Sequence, residues 1–345
     1  MNFTNGLEVE LPIIQAPMAG VQDSDLALAV TSAGALGSLP CGMLNHNVLH
    51  TELTKIKSKT SKPINVNFFC HTTPTLNLER EAKWRKVLQP YFNEFGIDVD
   101  NIVPEVERRP FSHDVADVLE EFKPGIISFH FGLPARDLLA RVKSWGTTVL
   151  ASATTIQEAQ WLEANGTDVI IAQGIEAGGH RGMFLSDDIT TQIGTLALLP
   201  QIIQKVKVPV IAAGGIADTK AVAAALSLGA IAVQVGTAYL LCLETKTTQI
   251  HRAALKSEMA YHTAITNLFS GRPARGIMNR LIKEIGPMND DAPEYPLAST
   301  AINVLRRQVE NTGSGDFSPL WCGQNPSGCK EISAAKLTQE LVTNL

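Results

Sequence analysis

Between Pro12 and Val235 the chain alternates short apolar runs with helical stretches eight times, and that rhythm leaves few folds open. The runs are Pro12–Gln15, Ala35–Leu39, Ile64–Phe69, Gly125–His130, Thr147–Ala153, Asp168–Gln173, Val208–Ala213 and Ala230–Val235. Several are continuously apolar rather than alternating, as strands of a parallel sheet covered on both faces must be. Helical patterns separate them at Ser24–Ala33, Asn47–Lys57, Asp114–Phe122, Ala135–Trp145, Ile156–Ala164, Ile193–Val206 and Asp218–Leu228. Eight strands, each but the last followed by a helix, predict a (β/α)8 barrel over residues 1–244. A doubly wound open sheet is the alternative.

Three stretches depart from the rhythm. Residues 71–112 are polar and proline-bearing, with a helix at Asn77–Val87, and form an excursion beside a strand's carboxyl end. Residues 245–312 read as a smaller, mainly helical domain covering the barrel mouth. Residues 313–345 read as a segment returning to the barrel, with a helix at Ile332–Val342. One stretch is a decoy: the 23 residues between Lys220 and Glu244 carry no charge and are long enough to span a bilayer. Gly229 splits them into an Ala-rich helix and a β-branched strand, so they read as barrel core and no membrane partner is expected.

Composition narrows the class further. Net charge is −5 and no Lys/Arg-rich run occurs, which argues against nucleic acid as a partner. The amino terminus has neither a basic nor an apolar leader region. Five cysteines (Cys41, Cys70, Cys242, Cys322 and Cys329) are scattered without a C-x-x-C, which fits a reducing cytoplasm and no metal site. A homodimer is carried as the one protein partner.

Barrel chemistry sits at the carboxyl ends of strands. There the chain offers Ala16, Pro17 and Met18, then Asn67, His130, Ser152 and Gln173. After Gln173 comes a loop with Gly174, Gly178, Gly179 and Gly182 around His180, where glycine lets backbone approach a planar ligand. His180 there can take a proton near neutral pH or hold an anion. Its bland alternative is a solvated histidine in a tight turn, and His130 reads as pocket lining or a satisfied core histidine. Gly214–Gly215, before a helix capped by Asp218, and Gly236–Thr237 after the eighth strand suit a phosphate. Either pair alone could be a tight turn; two adjacent ones favour phosphate. Asn67 and Gln173 carry amides that could meet a flavin's pyrimidine edge, or could be satisfied by backbone. No G-x-G-x-x-G or G-x-x-x-x-G-K occurs, so a dinucleotide module and a P-loop are both absent.

Several stretches together resemble the nitronate monooxygenases, formerly called 2-nitropropane dioxygenases, and especially their bacterial class I. They are Pro12–Val21, Asn65–His71, Ile127–Pro134, Ala172–Gly182, Ala212–Ile216, Gln234–Ala238, Ser270–Gly276 and Trp321–Gln324. The Gly174–Gly182 block is the specific one. The resemblance implies noncovalent FMN and oxidation of alkyl nitronates, such as propionate 3-nitronate, by O2 without NAD(P)H. A flavosemiquinone would form on the way, and carbonyl compounds and nitrite would be released. Carried over by position, Asn67, Gln173, Gly178, Gly179, Gly214, Gly215, Gln234, Gly236 and Thr237 would bind FMN. Ala16, Pro17 and Met18 would line its ring, His180 would be catalytic, and Tyr295 would join His130 in the substrate pocket.

One departure bears on specificity. Tyr295 is present, but Ser299 and Asn303 stand where the resemblance would place a tyrosine and a lysine. Unless Arg272, Arg275 or Arg280 substitutes, discrimination in favour of a carboxylated nitronate should be weak. Two rival functions share the barrel and its glycine turns. One is an FMN-dependent, NAD(P)H-using enoyl-thioester or quinone reductase, and the other a flavin-free phosphosugar isomerase or synthase.

Overall fold

The computed structural model describes residues 7–98 and 108–345. The strands are β1 (Ile13–Gln15), β2 (Ser38–Pro40), β3 (Asn65–Phe69), β4 (Ile126–His130), β5 (Thr148–Ala153), β6 (Val169–Gln173), β8 (Val210–Ala213) and β9 (Ala232–Val235). They pair in parallel in the order β1-β9-β8-β6-β5-β4-β3-β2. The ring closes between its two ends. Gln15 N–H donates to the Leu36 carbonyl at 2.9 Å and Leu36 N–H to that of Ile13 at 3.0 Å, around a parallel bridge from Ile14 to Leu36. An open sheet has no such link, so the fold is the (β/α)8 barrel. A two-residue strand, β7 (Gly179–His180), lies in the loop after β6, outside the barrel.

The helices start where capping side chains place them. Asp23 accepts from Asp25 N–H at the head of α1 (Ser24–Ser32), Asn45 from Val48 N–H at α2 (His46–Lys59), and Asp218 from Ala221 N–H at α8 (Thr219–Ser227). Gly34 ends the first unit with φ +93°, a conformation that favours glycine. Inside the barrel Ile14, Leu36, Ile126, Leu150, Val169, Ile171 and Ile211 form a buried plug. Outside it, α6 (Ile156–Ala164), α7 (Thr195–Ile203) and α8 pack Leu162, Leu198, Leu199, Ile202 and Val222 onto the sheet. The uncharged decoy resolves into α8, β9 and a 3-10 turn at Thr237–Leu241. Among the described residues no helix is long and apolar enough to cross a membrane.

The excursion and the later cover share one core. Helix α3 (Leu78–Glu94) runs well past the expected end, with Pro90 inside it. It continues because Tyr91 and Phe92 lie beyond the proline and are buried, with Trp84 and Leu88, against Leu268, Phe269, Leu281, Ile302, Leu305 and Phe317. Burial of side chains that size is worth ~1.5–3 kcal/mol each, comparable to the ~3 kcal/mol cost of an interior proline. The rest of the excursion, residues 99–107, lies outside the described residues.

The cover contains α9 (Gln249–Leu255), α10 (Arg280–Ile285) and α11 (Ser299–Glu310), and also a β-hairpin that the sequence reading lacked. Its strands β10 (Thr263–Thr266) and β11 (Ala274–Ile277) are antiparallel, and β11 pairs onward with β7, setting Ala274 opposite His180. The final helix α12 (Ala334–Glu340) lies on the barrel wall. There Gln339 Nε2 donates to the Ala33 carbonyl at 2.8 Å and Tyr239 contacts Thr338 through their hydroxyls at 2.8 Å.

Candidate active site

A cavity of about 280 Å³ opens at the carboxyl ends of the strands. Its lining brings together Ala16, Pro17, Met18, Asn67, His130, Gln173, Gly178, Gly179, His180, Gly214, Gly215, Gln234, Gly236 and Thr237. Tyr295 stands just behind, edge-on to the His180 ring at 5.4 Å between centroids.

The loop after β6 is held by its own buried polar groups. Gln173 Nε2 donates to the His180 carbonyl at 3.0 Å, and its Oε1 accepts from Gly182 N–H at 2.8 Å. That amide braces the loop, the backbone-satisfied alternative in the sequence reading. Arg181, fully buried, donates through Nη1 to the Gly174 carbonyl and through Nη2 to that of Gln173, both at 2.7 Å, and through Nε to Gln192 Oε1 at 3.0 Å. Burial lowers its pKa to about 9, so it still carries its charge at neutral pH.

His130 is tied at both nitrogens. Its Nε2 faces the His180 carbonyl at 3.2 Å, which can only accept, so Nε2 carries the hydrogen. Nδ1 then accepts from Ser152 Oγ at 3.1 Å. Burial lowers its pKa to about 4, and the ring is neutral. His180 Nε2 meets Ser270 Oγ at 2.8 Å. Burial first, then the nearby Arg108 charge, hold the His180 ring well below its usual pKa. Of the two readings of His180, taking a proton near neutral pH is the one this environment disfavours, since the ring is held toward its neutral form.

Asn67 spends its amide nitrogen on Ser128, at 2.9 Å to Oγ and 3.2 Å to the carbonyl. Its Oδ1 has no hydrogen-bond partner among the described residues. Gln234 Oε1, on β9, is buried with no partner. An acceptor left bare in a buried wall costs ~1–3 kcal/mol unless something that donates fills the space beside it.

The glycine turns meet the C-terminal segment. Gly215 has φ +71°, and a Cβ there would touch only Glu176, no closer than 3.5 Å. Glu176 is itself engaged by Thr195 N–H at the head of α7, at 2.9 Å. Gly323 N–H donates to Thr237 Oγ1 at 2.9 Å, Asn325 Nδ2 to the Gly215 carbonyl at 3.0 Å, and Gln324 N–H to the Glu176 carbonyl at 2.9 Å. Gly178, which also lines the cavity, is held to glycine by the C-terminal segment. A Cβ there would lie 2.5 Å from Gly323 N and 2.7 Å from the Cys322 carbonyl carbon.

Sequence reasoning missed Arg108, Ser270, Trp321, Gly323 and Asn325. Of these, Arg108, Trp321, Gly323 and Asn325 line the cavity. The S-G-R-P-A-R-G and W-C-G-Q stretches contain three of the five, but nothing local in them says where they dock. Of the arginines offered as substitutes for a lysine, none lines the cavity. Arg272 donates to the Met183 carbonyl, Arg275 to that of Ile175, and Arg280 pairs with Glu94. Ser299 is buried on the Pro296 carbonyl, and neither it nor Asn303 reaches the cavity lining. Among the described residues no group of histidines, cysteines or acids could hold a metal ion.

Known proteins match this arrangement along nearly its whole length. The family described as nitronate monooxygenase matches residues 2–344. Nitronate monooxygenase of Pseudomonas aeruginosa is 40% identical over 348 residues, covering 99% of this chain and 98% of that one. The crystal structure of nitroalkane oxidase from Streptomyces ansochromogenes superposes with a TM-score of 0.88 at 36% identity, covering 98% and 96% of the two chains. FabK from Thermotoga maritima superposes with a TM-score of 0.73 at 25% identity, covering 99% and 94%.

Proposed function

This chain belongs to the nitronate monooxygenase family, whose members are oxidoreductases; from that premise we propose that it uses bound FMN and O2 to oxidise alkyl nitronates to carbonyl compounds and nitrite. The observation that carries the proposal is one cavity lined by two chemically distinct groups. Glycine turns at Gly214–Gly215 and Gly236–Thr237 follow β8 and β9, whereas His130 ends β4 and His180 lies on the loop after β6.

The residues present suit FMN. The turns expose backbone where a phosphate can approach. Gln234 Oε1 and Asn67 Oδ1 are acceptors without partners among the described residues, and a flavin's pyrimidine edge brings an N–H donor beside its carbonyl oxygens. Ala16, Pro17 and Met18 supply an apolar wall for a planar ring. When bound, the flavin supplies the electron chemistry that side chains lack.

The protein's part is positioning. His180 offers a neutral nitrogen from a loop fixed by Gln173, Arg181 and His130, so its place does not depend on substrate. A nitronate arriving beside it brings negative charge, which favours the protonated ring and a stronger hydrogen bond to the nitro oxygens. Tyr295, Phe131 and Trp321 pack around that ring and limit water beside it. We assign the enzyme to the cytoplasm, supported by five free cysteines.

The test is anaerobic. Ethyl nitronate added to the purified, yellow protein should change the flavin absorbance without NAD(P)H, and admitted air should yield nitrite. Bleaching by NADH with no response to nitronate would overturn the proposal in favour of a reductase. Colourless protein that never takes up FMN would overturn the cofactor.

A further inference from the structure

The cavity lining carries two arginines, Arg108 and Arg306, and two carboxylates, Glu176 and Glu310, but they are not paired one for one. Its two lining carboxylates are engaged inside the protein: Glu176 by Thr195 N–H, and Glu310 by Arg306 at 2.7 Å and Ser318 Oγ at 2.6 Å. Arg306 is thereby paired as well. Arg108 is different. It lines the same cavity as His130 and His180, its Nε is buried without a hydrogen-bond partner, and no described carboxylate forms an ion pair with it.

Its position is built rather than incidental. His71, 4% exposed, contacts the Arg108 carbonyl through Nε2 at 3.2 Å and fixes the backbone at the cavity wall. The guanidinium carbon lies 5.7 Å from the Tyr295 ring, and that ring stands edge-on to both His71 and His180. A second guanidinium, Arg272, stacks over Phe131 at 4.3 Å on the same aromatic cluster. A guanidinium that faces a partly apolar cavity, with no ion pair to any described carboxylate, is a site for an anion.

We infer that Arg108 binds the negatively charged nitro end of the substrate and makes the enzyme prefer a nitronate anion to the neutral nitroalkane. The inference rests on the nitronate reading above and adds the group that reads charge. A nitronate concentrates its charge on the two nitro oxygens, whereas a nitroalkane offers them only a dipole. His180 can favour the anion only by gaining a proton, which its burial and positive neighbours oppose, whereas a guanidinium carries its charge throughout. A charge-assisted hydrogen bond from a guanidinium separates the two by about ten- to a hundredfold in affinity.

The experiment compares native enzyme with Arg108→Gln and Arg108→Lys. Ethyl nitronate and nitroethane are the substrates, and calorimetric binding of inorganic nitrate, a planar anion of similar oxygen spacing, is the second readout. Arg108→Gln should raise KM for ethyl nitronate and Kd for nitrate about ten- to a hundredfold, leave kcat within about threefold, and leave KM for nitroethane unchanged. Arg108→Lys should recover most of both losses. Unchanged nitrate Kd and nitronate KM in Arg108→Gln would overturn the inference, as would an equal rise in KM for nitroethane. If native enzyme turned over no nitronate, the functional reading would fall by itself, and the nitrate measurement would still decide what Arg108 does.

Discussion

Ser270 Oγ lies 2.8 Å from Nε2 of His180, joining a residue of the cover to the histidine of the barrel loop across 90 positions of sequence. Ser270 is 2% exposed, and its hydroxyl also meets Arg272 N–H at 3.4 Å. The serine therefore fixes which way the imidazole turns. Ser270→Ala should lower kcat for ethyl nitronate about two- to tenfold, the worth of one net hydrogen bond, with flavin content unchanged. Steady-state kinetics beside the absorbance spectrum would check it; an unchanged kcat would leave the contact as packing.

His180→Asn should cost far more. It removes the one imidazole on the glycine-rich loop while keeping a polar side chain, and positioned groups of this kind contribute ~10²–10⁴-fold. Flavin content should stay near that of the native protein, because the glycine turns belong to different loops, after β8 and β9. A loss under about threefold would move the role to another group, His130 first.

Two glycines should fail in different ways. At Gly215 the space is open, so a bulky residue such as leucine should fold at some strain from φ +71° and yield mostly colourless protein. At Gly178 even alanine collides with the backbone of Cys322 and Gly323, so Gly178→Ala should lower the melting temperature and loosen the C-terminal segment. Absorbance-to-protein ratios and melting curves separate the two. A yellow Gly215→Leu protein would refute the phosphate assignment.

Acid should destabilise the fold through its buried histidines. Burial lowers the pKa values of His71, His130 and His251 to about 4 each, against an unfolded value of about 6.5. Between those values the unfolded chain binds protons that the native one does not. Stability is therefore lost as pH falls from about 6.5 toward 4, and the loss levels off below. Each tenfold suppression of protonation costs about 1.4 kcal/mol, so even one of these sites is measurable. His251→Gln can keep the hydrogen bond to the Trp321 carbonyl without the titration. Its melting temperature should fall less between about pH 7 and pH 5 than that of the native protein.

The barrel was legible because its signals are local. An apolar run such as Val169–Gln173 is buried at every position, and caps such as Asp218 act within one turn. The strand-end residues followed from that register, and the cavity gathers them. What escaped depends on distant partners. Pro90 argues for a helix end, and only the cover's aromatic core explains why α3 continues through it. The sequence leaves Gln173 open between a ligand and the backbone, and the choice of the His180 and Gly182 backbone is a fact of loop closure. It leaves His180 open between taking a proton and holding an anion, and the ring's neutrality comes from burial and from Arg108 in the excursion, which no neighbouring residue announces.

The pairing of β11 with β7 has a consequence for how molecules are admitted. Arg181 N–H donates to the Pro273 carbonyl at 2.9 Å, and Ala274 lies in register with His180, so the roof is stitched to the same loop that carries the histidine. Swinging that roof aside would tear those bonds and displace His180 itself. Traffic must instead pass through a fixed doorway, with side chains rather than a hinge as the doorkeepers. Such an enzyme sorts its visitors by girth before it reads their chemistry, and its turnover should depend little on solvent viscosity.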